Sequence, residues 1–374
     1  MKTPPTLTPP TDRPRASDFA APAPANTAAA PEPAAASTTT APPAAERFDS
    51  ARPRDAAKEA LVSAPNVASM ELLKTTAHRP FAMGRDGFVA VDESGAITGG
   101  IPPSARVRQR DVHAGPLDPL FDTVAHGEEA DVHFQLPDGG DVKLHSDEDG
   151  GATLPLGSLQ GLKPGLNTLP VSTPEGDGDE SNVLVLPRDY DGPIFISDID
   201  DTLRNTNLGD LVTGHTQEPI AGAKELLGSV ASRGVPIVYL SAGVDRIRPQ
   251  NEEFLGQLPQ GILLDRDHLG FRDVLPFGQA SAQGNYKAGV IEQIKKAYPH
   301  AQLFGLGDDK YGDALAYTKE GATAYIHDVQ PGNANIPKDF HGTITKEYTP
   351  DFRAKVDADL DAAIARSKSF NPAE

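Results

Sequence analysis

"PIFISDIDDTLRNT", residues 193–206, pairs an apolar run from Pro193 to Ser197 with three crowded acids, Asp198, Asp200 and Asp201. A short continuous apolar run of this kind predicts a strand buried on both faces, as in a parallel sheet. Carboxylates this close repel one another. Their crowding calls for a divalent cation, a phosphoryl group, or simply water around a surface turn.

The chain after this stretch alternates strands with helices. "EPIAGAKELLGSVASRG" (218–234) predicts a helix ending in glycine, and "VPIVYLS" (235–241) a second buried strand. "DRIRPQNEEFLGQL" (245–258) is a helix, "GILLDR" (261–266) a third strand, and "YKAGVIEQIKKAYP" (286–299) an amphipathic helix with Val290, Ile291, Ile294 and Ala297 on one face. "QLFGLG" (302–307), "GDALAYTKEG" (312–321) and "TAYIH" (323–327) add strand, helix and strand, and "TPDFRAKVDADLDAAIARSK" (349–368) closes as a helix. This βαβ grammar predicts an α/β fold with a doubly wound parallel sheet.

The grammar before Tyr190 is different. In "EADVHFQLP", Ala130, Val132, Phe134 and Leu136 alternate with polar residues, the period of a half-buried strand. "PDGG" and "EDGG" turn the chain into further short strands, so a small β-sandwich is expected over 125–189. Residues 50–124 read as short helices, "DAAKEALVSA" and "NVASMELLKTTA", followed by a hairpin in "GFVAVDESGAITGG". The first 46 residues hold 11 of the 35 prolines, and their only large apolar side chains after Met1 are Leu7 and Phe19. Such a segment buries too little apolar area to offset its ordering entropy, so 1–49 is expected to be a disordered tail. The parallel-sheet domain is then expected over 190–345, with the closing helix over 346–374.

Composition removes several function classes. A net charge of −19 argues against sequence-independent nucleic-acid binding. There are no cysteines, hence no disulfide framework, no thiolate metal site and no thiol nucleophile. No run of 18 or so apolar residues exists to span a membrane, and no apolar stretch resembling a secretory signal follows Met1. The expectation is a cytoplasmic protein, peripheral to a membrane at most.

In an open parallel sheet, ligands sit at the carboxyl ends of the strands. Asp198 and Asp200 follow the first strand, Ser241 ends the second, and Asp308, Asp309 and Asp313 follow the "LFGLG" strand. Lys287 lies at the start of the helix preceding that strand. An aspartate after a strand is ordinarily a turn or cap residue; the convergence of all these groups on one edge is harder to dismiss. The chemistry is coherent. A carboxylate can attack phosphorus and divide a hydrolysis into two steps. Crowded acids suit Mg²⁺, which takes few carboxylates and completes its octahedron with waters and phosphate oxygens. A serine hydroxyl and a lysine ammonium can hold the phosphoryl oxygens.

The motifs "ISDIDDTL", "VYLSAG" and "YKAGVIEQIKKAYPHAQLFGLGDDKYGDALAY" resemble the haloacid-dehalogenase superfamily of phosphohydrolases. More narrowly, they resemble the phosphatidate phosphatases of the actin-patch-associated type, distantly related to lipins. The resemblance covers about residues 190 to 330, and the β-rich segment ahead of it is similar to one carried by many bacterial members. It implies Asp198 as nucleophile, Asp200 as general acid and base, Thr202 holding the loop, and Ser241 and Lys287 on the phosphoryl group. Mg²⁺ would rest on Asp198, the Asp200 carbonyl and Asp308, with Asp313 beside or behind it. Asp309 stands where relatives often carry serine, and "SAGVDR" replaces their Ser-x-Pro-Trp. The implied fold is Rossmann-like without a large cap, since strand, helix and loops consume the chain between Asp198, Ser241 and Lys287.

Other candidates have blander readings. His215 reads as a solvated loop residue. "SDEDGG" (146–151) and "PEGDGDES" (174–181) lack calcium-loop ligand spacing. Lys295 and Lys296 lie more than two helical turns beyond Lys287, and Ser241 is no nucleophile elbow, because Tyr239 occupies the position that motif gives to glycine. The expected function is Mg²⁺-dependent hydrolysis of a phosphomonoester, foremost phosphatidate at a membrane surface. The alternatives are a phosphatase for soluble or protein phosphoesters and a non-catalytic lipid- or partner-binding module. The sequence leaves the oligomeric state open.

Overall fold

The computed structural model describes residues 80–109, 129–176, 178–205, 217–244, 248–266, 280–329 and 336–370. The proline-rich tail, the helices expected within 50–78 and His215 lie outside the described residues.

The strand read in 193–197 is β10, Pro193–Ser197, with every residue buried. It lies at the centre of a six-stranded parallel sheet ordered β12 (Ile262–Arg266), β11 (Ile237–Val244), β10, β13 (Gln302–Gly307), β14 (Thr323–His327) and β15 (Thr343–Thr345). The chain winds from β10 to β11 and β12 on one side, then restarts at β13 on the other. The carboxyl ends of β10 and β13 therefore flank the topological switch point, where such sheets bind ligands.

Strand alternation explains the double winding. Ile194 and Ile196 pack on one face with Ala288, Ile291 and Ile294 of helix α3, Ala280–Ala297, and with Tyr317 of α4, Gly312–Glu320. Phe195 packs on the other face with Leu226 and Leu227 of α1, Ala223–Ser232, Phe254 of α2, Arg248–Leu255, and Val356 and Leu360 of α5, Pro350–Arg366. Both faces are covered, so the strands read as continuous apolar runs. Helix α5 begins as its sequence announces: Thr349 is the N-cap, its side chain accepts the Phe352 N–H, and Pro350 follows at N1. Strand β15, absent from the sequence expectation, is a three-residue edge. Among the described residues no helix is long and apolar enough to cross a membrane.

The β-rich part forms two sheets. One is three-stranded and antiparallel, ordered β1 (Pro80–Arg85), β4 (Ser104–Gln109) and β7 (Gly151–Thr153). The other is ordered β3 (Ile97–Ile101), β2 (Gly87–Val91), β9 (Gly178–Pro187), β8 (Gly165–Ser172), β5 (Asp131–Gln135) and β6 (Asp141–His145). Strands from either side of residue 124 thus share both sheets. β2 and β9 run parallel. They send Val89, Val183 and Val185 into the core shared by the two sheets, and Phe88, Ala90, Leu184 and Leu186 into the core under α3. The β-rich sheets and the parallel sheet therefore share a hydrophobic core.

A buried charge network reinforces that junction. Arg248, at the start of α2, donates to Asp86 at 2.9 Å, to Asp265 at 3.3 Å and to the Leu263 carbonyl at 3.0 Å. Asp86 also accepts the N–H groups of Asn182 and Leu263. Removing one partner of a buried pair strands the other charge, which costs about 3–5 kcal/mol. Asp86→Leu should lower the unfolding free energy in urea by about 3 kcal/mol. Adding Arg248→Met should restore part of that loss, a non-additivity read from the same titrations.

Candidate active site

Asp198 leaves the end of β10 with its N–H donated to the Leu306 carbonyl of β13 at 2.8 Å. The next residues alternate, as apolar Ile199 and Leu203 are fully buried beneath the sheet's α1/α5 face. Leu203 and Arg204 return their N–H groups to the Ile199 carbonyl, and Asp201 donates to the carbonyl of Arg204 at 2.8 Å. The turn needs a left-handed residue, and Asp201 supplies it with φ of 57°. Aspartate visits that region more readily than most residues do. Two aromatic groups close the turn from behind. Tyr348 donates its hydroxyl to the Thr202 carbonyl at 2.7 Å, and the His327 ring, stacked on Tyr348, lies between the carbonyls of Asp201 and Lys346.

The β13–α4 turn brings the second set of acids. Asp313, fully buried in the first turn of α4, accepts the N–H groups of Asp308 and Asp309, each at 3.2 Å. Acids are favoured at a helix start, where N–H groups lack intrahelical partners. Gly307 is required here, because a Cβ on it would lie 2.4 Å from the Asp313 carboxylate. Asp309 turns its carboxylate onto the Tyr311 N–H at 2.8 Å, the work of a turn residue.

Lys287 joins the two sets. Its buried ammonium donates to Asp198 and to Asp313, both at 2.6 Å. Helix α3 begins at Ala280, so Lys287 lies two turns inside it rather than at its start. The polar stretch "ASAQGN" carries no apolar period to announce those turns. They pass close to α4: a Cβ on Gly284 would lie 3.1 Å from the Cα of Gly312. Lys295 and Lys296 are occupied elsewhere, on the Glu320 carbonyl and on Glu292.

The structure thus gathers Asp198, Thr202, Lys287, Asp308 and Asp313. Thr202 donates to Asp198 at 3.0 Å and stands 3.4 Å from Asp308. Ser241 lies buried within β11 and does not end it, since the strand continues past an irregularity to Val244; its oxygen accepts the Gly243 N–H. Asp200, half-buried, is held by a residue the sequence reading passed over. Arg204 donates to its Oδ1 from Nε at 2.9 Å and from Nη2 at 2.7 Å. The four-residue spacing was the one available signal for that pair. Nothing local marked His327, Tyr348 or Asn251 as neighbours of the turn.

One ammonium faces several carboxylates. Burial raises the Asp198 carboxyl to about 7 despite the pull of Lys287, with repulsion from Asp313 and Asp200 adding to the rise. Burial raises Asp308 to about 9, helped by Asp198 and Asp313. The two carboxylates it bridges hold Lys287 well above the usual lysine range, outweighing its burial. Such crowding is what a hard cation relieves. One oxygen from each of Asp198, Asp308 and Asp313 lies within 4.8 Å of the others. That all-oxygen donor set fits Mg²⁺. Both Asp313 oxygens accept hydrogen bonds, from Lys287 and from the two backbone N–H groups, and both Asp198 oxygens do so from Lys287 and Thr202.

Residues 194–330 match the family model for the catalytic domain of phosphatidate phosphatase APP1. No curated protein sequence matches the chain. Among solved structures, the D,D-heptose 1,7-bisphosphate phosphatase of B. bronchiseptica, in complex with magnesium and phosphate, is 13% identical. That match covers 46% of this chain and 98% of that one, at a TM-score of 0.31. A β-phosphoglucomutase from Thermotoga maritima is 11% identical, covering 45% and 99%, also at 0.31. A β-glucuronidase from Ruminococcus gnavus reaches 9% identity over 66% of this chain and 43% of its own, at 0.21. Likenesses this distant carry no argument about function. The family match falls on the segment that builds the site: over residues 194–330 the chain carries a phosphatase catalytic domain similar to that of phosphatidate phosphatase APP1.

Proposed function

We propose that the protein hydrolyses phosphomonoesters through an aspartyl-phosphate on Asp198, with Mg²⁺ as cofactor and phosphatidate as the preferred substrate class. The observation that supports this reading best is the setting of Asp198. It ends the central strand, in the grip of Lys287 and Thr202, beside Asp308 and Asp313.

In this reading an Asp198 oxygen forms a bond to phosphorus as the bond from phosphorus to the ester oxygen breaks. The departing oxygen takes a proton from Asp200 and leaves as the alcohol. Asp200, now a carboxylate, takes a proton from water, whose oxygen attacks phosphorus, releasing phosphate and restoring Asp198. Lys287 orients the nucleophile and offsets charge on the phosphoryl oxygens. Thr202 fixes the other Asp198 oxygen, and Ser241 is assigned to the phosphoryl group from the adjacent strand. Asp198, the Asp200 carbonyl and Asp308 would hold Mg²⁺, which supplies positive charge to the phosphoryl oxygens and to the crowded acids. Two observations support phosphatidate: the family match, and a chain between Asp198 and Lys287 with no length for a separate lid domain. A bulky ester presented at a lipid surface suits a site without a separate lid domain.

The test is hydrolysis by the full chain of phosphatidate in detergent micelles and of p-nitrophenyl phosphate, each with and without Mg²⁺. Release from both with Mg²⁺, and a higher kcat/KM for phosphatidate, is the expected result. Equal kcat/KM values would remove the lipid assignment, and no release would remove the enzymatic one. Asp198→Asn should lower kcat on the order of a thousandfold or more with the circular dichroism spectrum unchanged. A loss under tenfold would contradict its role as nucleophile.

Metal binding has its own readout. With Mg²⁺ at 100 times its Kd, stability should rise by about 2.7 kcal/mol. The shift, measured as Tm against Mg²⁺ concentration, should vanish in Asp308→Asn.

A further inference from the structure

Arg204 is among the largest fully buried side chains in the protein, 2% exposed. Burying a guanidinium is unfavourable unless its donors are met. Here those of Nε and Nη2 are met by groups from two segments. Nε and Nη2 converge on Oδ1 of Asp200, and Nη2 also donates to Asn251 Oδ1 at 2.6 Å. The plane stacks over the Phe254 ring, 5.2 Å from its centroid. Asn251 and Phe254 both belong to α2, the helix that follows the Ser241 segment. The Arg204 backbone takes part as well, closing the turn onto Asp201 and pairing with Pro219.

We infer that Arg204 is a positioning residue for Asp200, a clamp that fixes the plane of its carboxyl group for proton transfer to the leaving oxygen. Two N–H groups converging on Oδ1 fix both the position and the plane of the carboxyl group, as a planar guanidinium can. The clamp is itself seated on α2, because Asn251 and Phe254 also hold the guanidinium. General acid catalysis demands such fixity: the acid must lie within hydrogen-bond reach of the atom it protonates. Lysine substitutes only in part, since an ammonium keeps the charge but lacks the planar fork that grips one oxygen through two nitrogens while stacking on a ring. The inference rests on the assignment of Asp198 as nucleophile and Asp200 as acid.

Leaving-group dependence tests it. Protonation matters most when the departing oxygen is strongly basic and least when it is p-nitrophenolate. kcat/KM reports the step in which that oxygen leaves, whatever the rate of the later hydrolysis. In Arg204→Met, kcat/KM should fall on the order of 100-fold for an alkyl phosphomonoester but less than about fivefold for p-nitrophenyl phosphate, with phenyl phosphate between. Arg204→Lys should recover part of the alkyl-ester loss. Asp200→Asn should show the same selective loss, and Arg204→Met should add little in that background. A folded Arg204→Met that loses the same factor on all three esters overturns the clamp. So does an additive double variant. Should the methionine variant fail to fold, Arg204→Lys carries the comparison, and a uniform loss there overturns it equally. A wild-type chain that hydrolyses none of the esters overturns the phosphatase reading beneath it, an outcome visible before any variant is made.

Discussion

One ammonium ion among buried carboxylates organises this protein. Lys287 touches Asp198 and Asp313 at equal distance, and those acids follow β10 and open α4 after β13, on either side of the switch point. Without it the buried Asp198 and Asp313 would lose the ammonium that balances their charge. Several backbone features serve that contact. Gly307 leaves room for the Asp313 carboxylate, Gly284 and Gly312 let α3 approach α4, and α3 extends far enough upstream to carry Lys287 inward. The balance is incomplete, since Asp198 and Asp308 remain well above ordinary carboxylate values. That residual crowding is the physical case for a divalent cation.

The support behind the acids is arranged in two directions. On one side His327 and Tyr348 brace the backbone of the turn through the carbonyls of Asp201 and Thr202. On the other, Arg204 ties Asp200 to α2, and the same helix reaches the β-rich sheets through Arg248 and Asp86. Asn251 and Arg248 lie three residues apart on α2, close to one face of it. The β-rich part is therefore continuous with the scaffold of the site, through both the polar network and the Phe88–Leu184–Leu186 surface under α3.

Much of the fold could be read in the chain. "PIFIS", "QLFGLG" and "TAYIH" became the strands they suggest, because burial on both faces imposes an unbroken apolar run. The acids at the strand ends were legible for the same reason: a buried strand can end in a carboxylate only where a ligand, a counter-charge or water meets it. Less was legible where periodicity is weak. The first turns of α3 carry no amphipathic signature, and β15 is too short to stand out from a loop.

The sequence alone determined the parallel sheet, its alternation with helices, and the candidates Asp198, Asp200, Thr202, Lys287, Asp308 and Asp313. Tertiary structure decided how they are used. It drew Asp309 into a turn, set Asp313 against two backbone N–H groups, seated Lys287 between two acids and gave Asp200 a buried arginine. It also merged strands on both sides of residue 124 into common sheets. The reason is that hydrophobic period records only whether a residue is buried. Which groups meet depends on the order in which distant strands lie side by side, and strand order is a property of the assembled sheet.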